Sequence, residues 1–576
     1  MPDQIVDLDQ FSKLVASLKG VGNTKTILTN DLISKFYVDL YPSNYSMSLM
    51  KHQETTILLG KKGTGKSTII NRFMDEISKD RKQLALYIDS KSLFTKFIAI
   101  DTSKQSVIDD YLFFQTLLDK LFETISENLS EHKFINSTAR KEITNFFKNE
   151  KVTDHFFKDD DKQIQELKRS IEKEQIGATL GITDKGLSAA VSCGLNNDTI
   201  KEFIEEYSRK IIEYYSPSKK MEVVRKILQN NGIHNVFICF DDFSEISINL
   251  MSLIVDFFIA PLHNNANNFY KFKIASYPGR LYLGTSENGI NEKGYTTLKL
   301  DFYERTKHLT SNEAIRSSIE HIKKLLDYRF DYYFDDTSFE SIINPEKETE
   351  EYYKRLVSYT FNNPRLIGKI LGFAHRISLI NNKLISFETI DEASIEFFKE
   401  VKENFFINSY ANYFSYLEKL SVVELKELYD LFFVKAKENH DRGYSRSKQQ
   451  YGNIFYIDNK YSNYLQSFEL GYLVFKLREE DNKGTKYSFY TMNCALCKDN
   501  GIVPKVEIGN YSIYFHNPEM FDYTNTIYDY IHNLKHFKCD TCSHTAQFSE
   551  EAKISDFGYK CKKCDNGHYE LVSRSL

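Results

Sequence analysis

The chain has 576 residues, of which 41% are hydrophobic and 27% charged, with a formal net charge of −5. That length holds three or four domains, and the near-balanced charge excludes a global polyanion binder, so any contact with duplex DNA has to be a local patch. No run reaches the length of a membrane span, and the opening Met-Pro-Asp-Gln-Ile-Val-Asp is acidic with no apolar core, which predicts a soluble, cytoplasmic chain with no membrane partner.

After a lead-in over 1–45, the apolar run Thr55-Thr56-Ile57-Leu58-Leu59 reads as a strand and Thr68 to Met74 as a helix. Between them stands Gly60-Lys61-Lys62-Gly63-Thr64-Gly65-Lys66-Ser67, a G-x-x-x-x-G-K-S loop in its proper strand–loop–helix setting. The glycines let backbone N–H groups curl around a triphosphate, and the helix N-terminus adds the positive end of its dipole. Gly60, Gly63, Thr64, Gly65 and Thr68 are the expected cradle. Lys66 is expected on the β- and γ-phosphates, and the Ser67 hydroxyl on Mg²⁺.

Leu84 to Asp89 reads as a second strand. Asp109 to about Leu129 reads as a helix with Leu112, Phe113, Leu117, Leu118, Leu121 and Ile125 on one stripe. Roughly 175 residues separate Lys66 from Asp241, far more than a βαβ unit needs, so 130–215 is read as an insertion between core strands. It carries a charged helix with Ile164, Leu167 and Ile171, then a hairpin pattern around Asp184-Lys185-Gly186. Its charged helices read as a solvated surface, and Cys193 as packing.

Val236 to Phe240 is a buried strand by its apolar and aromatic run, and it ends in Asp241-Asp242. Beside a nucleotide loop, Asp241 is the expected second ligand of magnesium, through water. Asp242 is placed to orient and deprotonate the attacking water, with Glu245 as the alternative base. Cys239 belongs to the strand core. A helix from Ile248 to Phe258, a strand from Lys271 to Ser276, a loop with Pro278-Gly279-Arg280 and a strand from Thr296 to Leu300 follow. Residues 311–400 read as helical and 411–437 as amphipathic helices. Leu470 to Met492 reads as a hairpin turning at Asp481-Asn482-Lys483-Gly484, and helices followed by such a hairpin suggest a winged helix.

Eight cysteines include three Cys-x-x-Cys pairs. Cys539/Cys542 and Cys561/Cys564 are 18 residues apart, inside the spacing window of a four-cysteine zinc site. Four thiolates satisfy Zn²⁺ completely and make a closed structural site. Cys494/Cys497 has no partner pair, and metal binding or plain packing both remain open for it. The cysteine pairs do not frame an HNH nuclease, because His544 is the only histidine between Cys542 and Cys561.

No Leu-Ser-Gly-Gly-Gln signature is present, and Asn459-Lys460-Tyr461-Ser462 fails the GTPase motif at its last position. The P-loop, Asp241-Asp242, the polar strand end at Ser276 and Phe361-Asn362-Asn363-Pro364-Arg365 opening a helix, followed by a winged-helix pattern, stand in one order. That order resembles the AAA+ ATPases of the origin-recognition initiator type and their STAND relatives, over roughly residues 30–490. The resemblance implies that Arg365 is the sensor-2 arginine on the γ-phosphate and Ser276 the sensor-1 group. It also implies that Arg280 reads the γ-phosphate in cis or from a neighbouring subunit. The long insertion, Asp-Asp in place of Asp-Glu, and the zinc ribbon depart from the initiator pattern and bear on a replication role more than on ATP hydrolysis.

The expected fold is therefore α/β: a P-loop NTPase parallel-sheet core over 46–310, a helical lid over 311–410, a winged-helix-like domain over 411–500 and a small zinc ribbon over 501–576. The expected activity is slow Mg-ATP hydrolysis driving a conformational or oligomerisation switch. Its partners would be copies of the chain and an effector or sensor protein, in a bacterial antiphage-defence or mobile-element system. The alternative is a DNA-binding initiator or loader, for which Arg442, Arg446 and Lys448 form a small basic cluster.

Overall fold

A computed structural model describes residues 8–18, 30–93, 107–149, 217–264, 269–284, 289–290, 294–334, 337–407, 414–447, 452–505, 512–547, 554–555, 558–564 and 566–573. The chain divides into two compact units, Gly20–Asp301 and Met1–Lys19 with Phe302–Leu576. The helix expected around Ile164, the hairpin around Asp184 and Cys193 lie outside the described residues.

The Gly20–Asp301 unit is an α/β layer structure. Its sheet contains β1 (Thr55–Leu59), β2 (Gln83–Asp89), β3 (Asn235–Asp241), β4 (Tyr270–Ser276) and β5 (Tyr295–Lys299) in the order β2-β3-β4-β1-β5. Every neighbouring pair is parallel. Parallel strands need covered crossovers, so both faces are buried and β3 reads as one unbroken apolar run. On one face Leu58, Phe237, Cys239 and Ala275 pack on Ile69, Ile70 and Phe73 of the helix Lys66–Ile77 and on Met47 and Met50 of the helix Tyr45–Lys51. On the other, Phe240 and Phe272 meet Phe258, which also meets Phe122 of the helix Val107–Glu131.

Among the polar side chains buried in this sheet, one lysine lies fully inside it. Lys273 of β4 is fully buried, with Nζ donating to the carbonyls of His52 and Glu54 and to Thr56 Oγ1 at 3.2, 2.8 and 2.9 Å. Burial pulls its pKa down to about 7.

In the second unit, the helix Leu8–Leu18 packs with the helical stretch that follows residue 301. Phe11 stacks on His375 at 4.0 Å, and the buried Arg329 donates from Nε to Ser17 Oγ at 2.9 Å. The stretch comprises the helices Ser311–Tyr333, Thr349–Thr360, Pro364–Asn381 and Phe387–Ile407, with Thr310 and Glu313 forming a reciprocal capping box on the first. Beyond it, the amphipathic helices expected over 411–437 resolve, among the described residues, into one helix, Val422–Ser447, whose start is closed by Ser421 and Glu424 each accepting the other's backbone N–H.

A strand missed in the sequence, β6 (Ile454–Asp458), pairs antiparallel with β8 (Thr485–Met492), which pairs with β7 (Val474–Asn482). The β7–β8 turn is Lys483-Gly484, both at positive φ, the geometry that matches strand twist in a two-residue hairpin. Cys494 and Cys497 lie in the short helix Cys494–Asp499, capped by Asn493, and both are buried. Burial pushes the Cys494 thiol up to about 12, and among the described residues neither belongs to a group able to hold a metal. The chain ends in the three-stranded sheet β10 (Thr545–Gln547), β9 (Lys535–Cys539), β11 (Tyr569–Ser573).

Candidate functional site

The carboxyl edge of the parallel sheet gathers the residues singled out between 60 and 242. Leu59 pairs with Ser276, and Asp89 with Asp241, so β1, β4, β3 and β2 end side by side. Gly60 closes β1, and its N–H donates to the Ser276 carbonyl at 3.2 Å. A Cβ on Gly60 would meet Thr64 Oγ1 at 2.5 Å and Leu300 Cβ at 2.9 Å, so the loop turns here only with glycine. Gly63 and Gly65 have φ of 82° and 93°, a region costly for other residues. Thr64 Oγ1 donates to the Lys61 carbonyl at 2.9 Å, and the Lys61 N–H donates to Asp301 at 3.0 Å. Around Gly65 an added Cβ would meet no atom within 4 Å, which leaves the cradle open at the helix start. Thr68 sits on the first turn of that helix.

Lys66 is buried, and its ammonium donates to the carbonyls of Gly60 and Lys61 at 2.6 and 2.9 Å. It also stands 4.4 Å above the centre of the Tyr277 ring. Ser67 faces the Asp241 carboxyl and works to hold its pKa down, so the two residues expected at magnesium stand together. Asp241 is buried and accepts from Tyr87 Oη at 2.8 Å and from the Asp242 N–H at 2.9 Å. Its pKa is raised by burial, against the Ser67 and Tyr87 bonds and the Lys66 charge. Asp242 sits at φ 49°, which swings it out of the strand, and its pKa is pushed up to about 6 by burial and then by the Asp241 and Glu245 charges. A half-buried hydroxyl next to a buried carboxylate, beside a lysine and an open cradle of N–H groups, is a donor set that suits a magnesium-bound polyphosphate.

Glu245 lies in the short turn Phe243–Glu245 and is buried. It accepts from Tyr277 Oη and has Lys62 and Lys91 ammonium groups at 3.8 and 3.9 Å. Ser276 is fully buried, and its hydroxyl donates to the Arg280 carbonyl at 2.8 Å. Arg280 is only 4% exposed and donates from Nε to the Ser244 carbonyl at 3.0 Å. Ser276 thus closes the loop after β4 on itself while Arg280 ties that loop to the turn after β3, and in this conformation Arg280 is not presented at the surface to a neighbouring subunit. Arg365 lies in the other unit, on the first turn of the helix Pro364–Asn381, where Asn363 caps the Arg365 and Leu366 N–H groups.

Tyr87, Tyr277 and Lys62 were not singled out from the sequence. Tyr87 stands two residues before the strand end that pairs with Asp241, and Tyr277 directly follows Ser276, which is the only trace either leaves in the chain order.

The second cluster is Cys539, Cys542, Cys561 and Cys564, whose sulfurs all lie within 4.8 Å of one another. Cys539 and Cys564 are 3.6 Å apart, as are Cys542 and Cys561. Four sulfurs about 2.3 Å from a tetrahedral zinc ion would be about 3.8 Å apart, so the cluster fits zinc. The Cys542 and Lys563 N–H groups point at Cys539 and Cys561 sulfurs at 3.4 Å. A Cβ on Gly567 would meet Cys539 Sγ at 2.5 Å, so the facing loop needs glycine for this approach.

No protein-family model matches the chain, and no curated protein matches it. Among solved structures, that of Cdc6p from Pyrobaculum aerophilum aligns with 94% of this chain and 97% of its own, at 12% identity and a TM-score of 0.30. A likeness that loose carries no argument about function.

Proposed function

We propose that this chain is a magnesium-dependent ATPase of the AAA+ type, built as a nucleotide-driven switch. The observation that carries the reading is the convergence of Lys66, Ser67, Asp241 and Asp242 on one strand edge, with Ser67 and Lys66 both acting on the Asp241 carboxyl. Bound magnesium would neutralise charge on the phosphates. Ser67 and Asp241 offer it oxygen ligands, and Lys66 exchanges loop carbonyls for phosphate oxygens. Asp242, next along the chain and outside that pair, takes the proton of the attacking water. A buried carboxylate with a raised pKa is a better proton acceptor than a solvated one. Calorimetric titration tests this: Mg-ATP should bind the parent, and Lys66→Ala should abolish binding. Equal affinity in the two proteins would refute the reading, and GTP as competitor fixes the base preference.

For the switch itself, Arg365 is the candidate reporter of nucleotide state. A charge-assisted hydrogen bond to a γ-phosphate contributes about 1.5–3 kcal/mol, which shifts a two-state equilibrium about tenfold to a hundredfold. Arg365→Ala should bind nucleotide yet lose most discrimination between ATP and ADP in assembly, read by mass photometry. The four-cysteine module is proposed to hold one structural zinc. The setting proposed for the switch is antiphage defence or a mobile element, with an effector protein as partner.

A second reading, a DNA-binding initiator or loader, is favoured by one observation. The helix Val422–Ser447, β6, the short helices through Leu470 and the β7–β8 hairpin follow the order of a winged helix. Its charge argues the other way. The hairpin sets Glu479, Glu480 and Asp481 against Lys476, Arg478, Lys483 and Lys486, with Lys476 and Arg478 already paired to Glu479 and Glu480, so it presents no strongly basic face; the preceding helix Gln466–Leu470 is five residues long with Glu469 in it, and Arg442 pairs with Glu438. Of the basic cluster, Lys448 lies outside the described residues. Assembly with ATP in the absence of duplex DNA would favour the switch, and assembly only on DNA the loader.

A further inference from the structure

Glu245 is placed oddly for a base. Its side chain is 2% exposed and is held by the Tyr277 hydroxyl, while Lys62 reaches it from the phosphate loop and Lys91 from beyond β2. The ground beneath it is rigid. Its N–H donates to the Asp242 carbonyl at 2.9 Å, and Arg280 holds the adjoining Ser244 carbonyl at 3.0 Å. Tyr277 is fixed in turn, because the Gly60 N–H holds the carbonyl of the residue before it and the Arg280 N–H donates to its own carbonyl at 3.1 Å. Lys62 is the exposed member, with a side chain 39% accessible, on a loop whose backbone would wrap the phosphates.

We propose that Glu245 and Lys62 form a latch across the nucleotide loop, and that Lys62 is a second polyphosphate-binding lysine for which the triphosphate competes with Glu245. The inference rests on the nucleotide-binding reading of the site and assigns Glu245 to positioning rather than to proton transfer. At 3.8 Å with one exposed partner, the pair is weak enough to yield. A polyphosphate carries several negative charges, and it draws the ammonium away from a single carboxylate. Tyr277 sets the balance: its hydroxyl satisfies the carboxylate and lessens its pull on Lys62.

The test is a double-mutant cycle on the full chain, reading Mg-ATP dissociation constants by calorimetry. Lys62→Gln should weaken binding by about fivefold and Glu245→Gln should tighten it by about fivefold, the range of an ion pair with an exposed partner. In the Lys62→Gln background, Glu245→Gln should change the constant by less than about twofold, since the two act on one interaction. Tyr277→Phe keeps the ring beneath Lys66, removes the hydroxyl, and should weaken ATP a few-fold in the parent but not in Glu245→Gln. A Glu245→Gln effect that persists without Lys62, or no effect of Glu245→Gln or Tyr277→Phe on the constant, overturns the latch. Should Glu245→Gln not fold, the Tyr277→Phe and Lys62→Gln pair decides by the same criterion. A parent that binds no ATP overturns the ATPase reading and the latch with it, whereas a parent that binds ATP with a flat cycle overturns the latch alone.

Discussion

Gly60→Ala is the sharpest test of the loop geometry. The added methyl would lie 2.5 Å from Thr64 Oγ1 and 2.9 Å from Leu300 Cβ, both closer than carbon contacts allow. Neither neighbour has slack. Thr64 Oγ1 is bonded to the Lys61 carbonyl, and the Leu300 N–H donates to the Leu59 carbonyl at 2.7 Å. Overpacking of this kind costs about 1–3 kcal/mol, and the loop is the part free to move. We expect a lower melting temperature and Mg-ATP affinity reduced by about tenfold or more, since about 1.4 kcal/mol is tenfold. Thr64→Ala added to Gly60→Ala removes the closer contact and should recover part of the stability but not all of it, because Leu300 remains. Gly65→Ala serves as contrast: it meets no atom within 4 Å and pays only for φ of 93°, about 1–2 kcal/mol. Differential scanning calorimetry and nucleotide titration read both effects. A Gly60→Ala protein with parental melting temperature and ATP affinity would refute the argument.

Asp242→Asn should bind Mg-ATP, since Ser67 and Asp241 remain, and hydrolyse it at least about a hundredfold more slowly, as loss of a general base does; full turnover would move the base to Glu245. Cys539→Ser should lower zinc content measured by mass spectrometry and leave the tail from 535 onward protease-sensitive, because so small a sheet draws its stability from the metal; an unchanged digestion pattern would count against a structural zinc. Lys273 gives a pH signature. The unfolded chain keeps its proton up to about pH 10.4, while the folded chain releases it above about 7. Between those values the unfolded state binds more protons, so stability rises with pH, by up to about 1.4 kcal/mol per pH unit. Denaturant unfolding of Lys273→Met should lack this rise, and parallel slopes in the two proteins would contradict it.

The parallel-sheet core was legible because its signals are contiguous. Five apolar runs mark the strands, and a glycine loop between strand and helix carries its chemistry in eight adjacent residues. The spacing of Cys539, Cys542, Cys561 and Cys564 is likewise a local pattern, and the four sulfurs meet. The strand order, with β4 between β1 and β3, was not readable from the runs, since parallel crossovers leave no local mark of which neighbours pair. β6 escaped because its five residues, set between the turn-forming Gly452-Asn453 and Asn459, are too few for a clear alternation. The same distinction separates the site residues. Lys66, Ser67 and Asp241 announced themselves by motif, but the partners that hold them come from far along the chain. Tyr87 is 154 residues from Asp241, Tyr277 is 32 from Glu245, and Ser17 is 312 from the Arg329 it satisfies. Ser276 and Arg280 show the limit most clearly. A strand-end serine and a nearby arginine fit the role of phosphate readers by position alone, yet burial decides where their donors point, and here they close on the carbonyls of Arg280 and Ser244. Chain order specifies which groups are available, while buried donors such as these meet their acceptors only when the strands have been brought together.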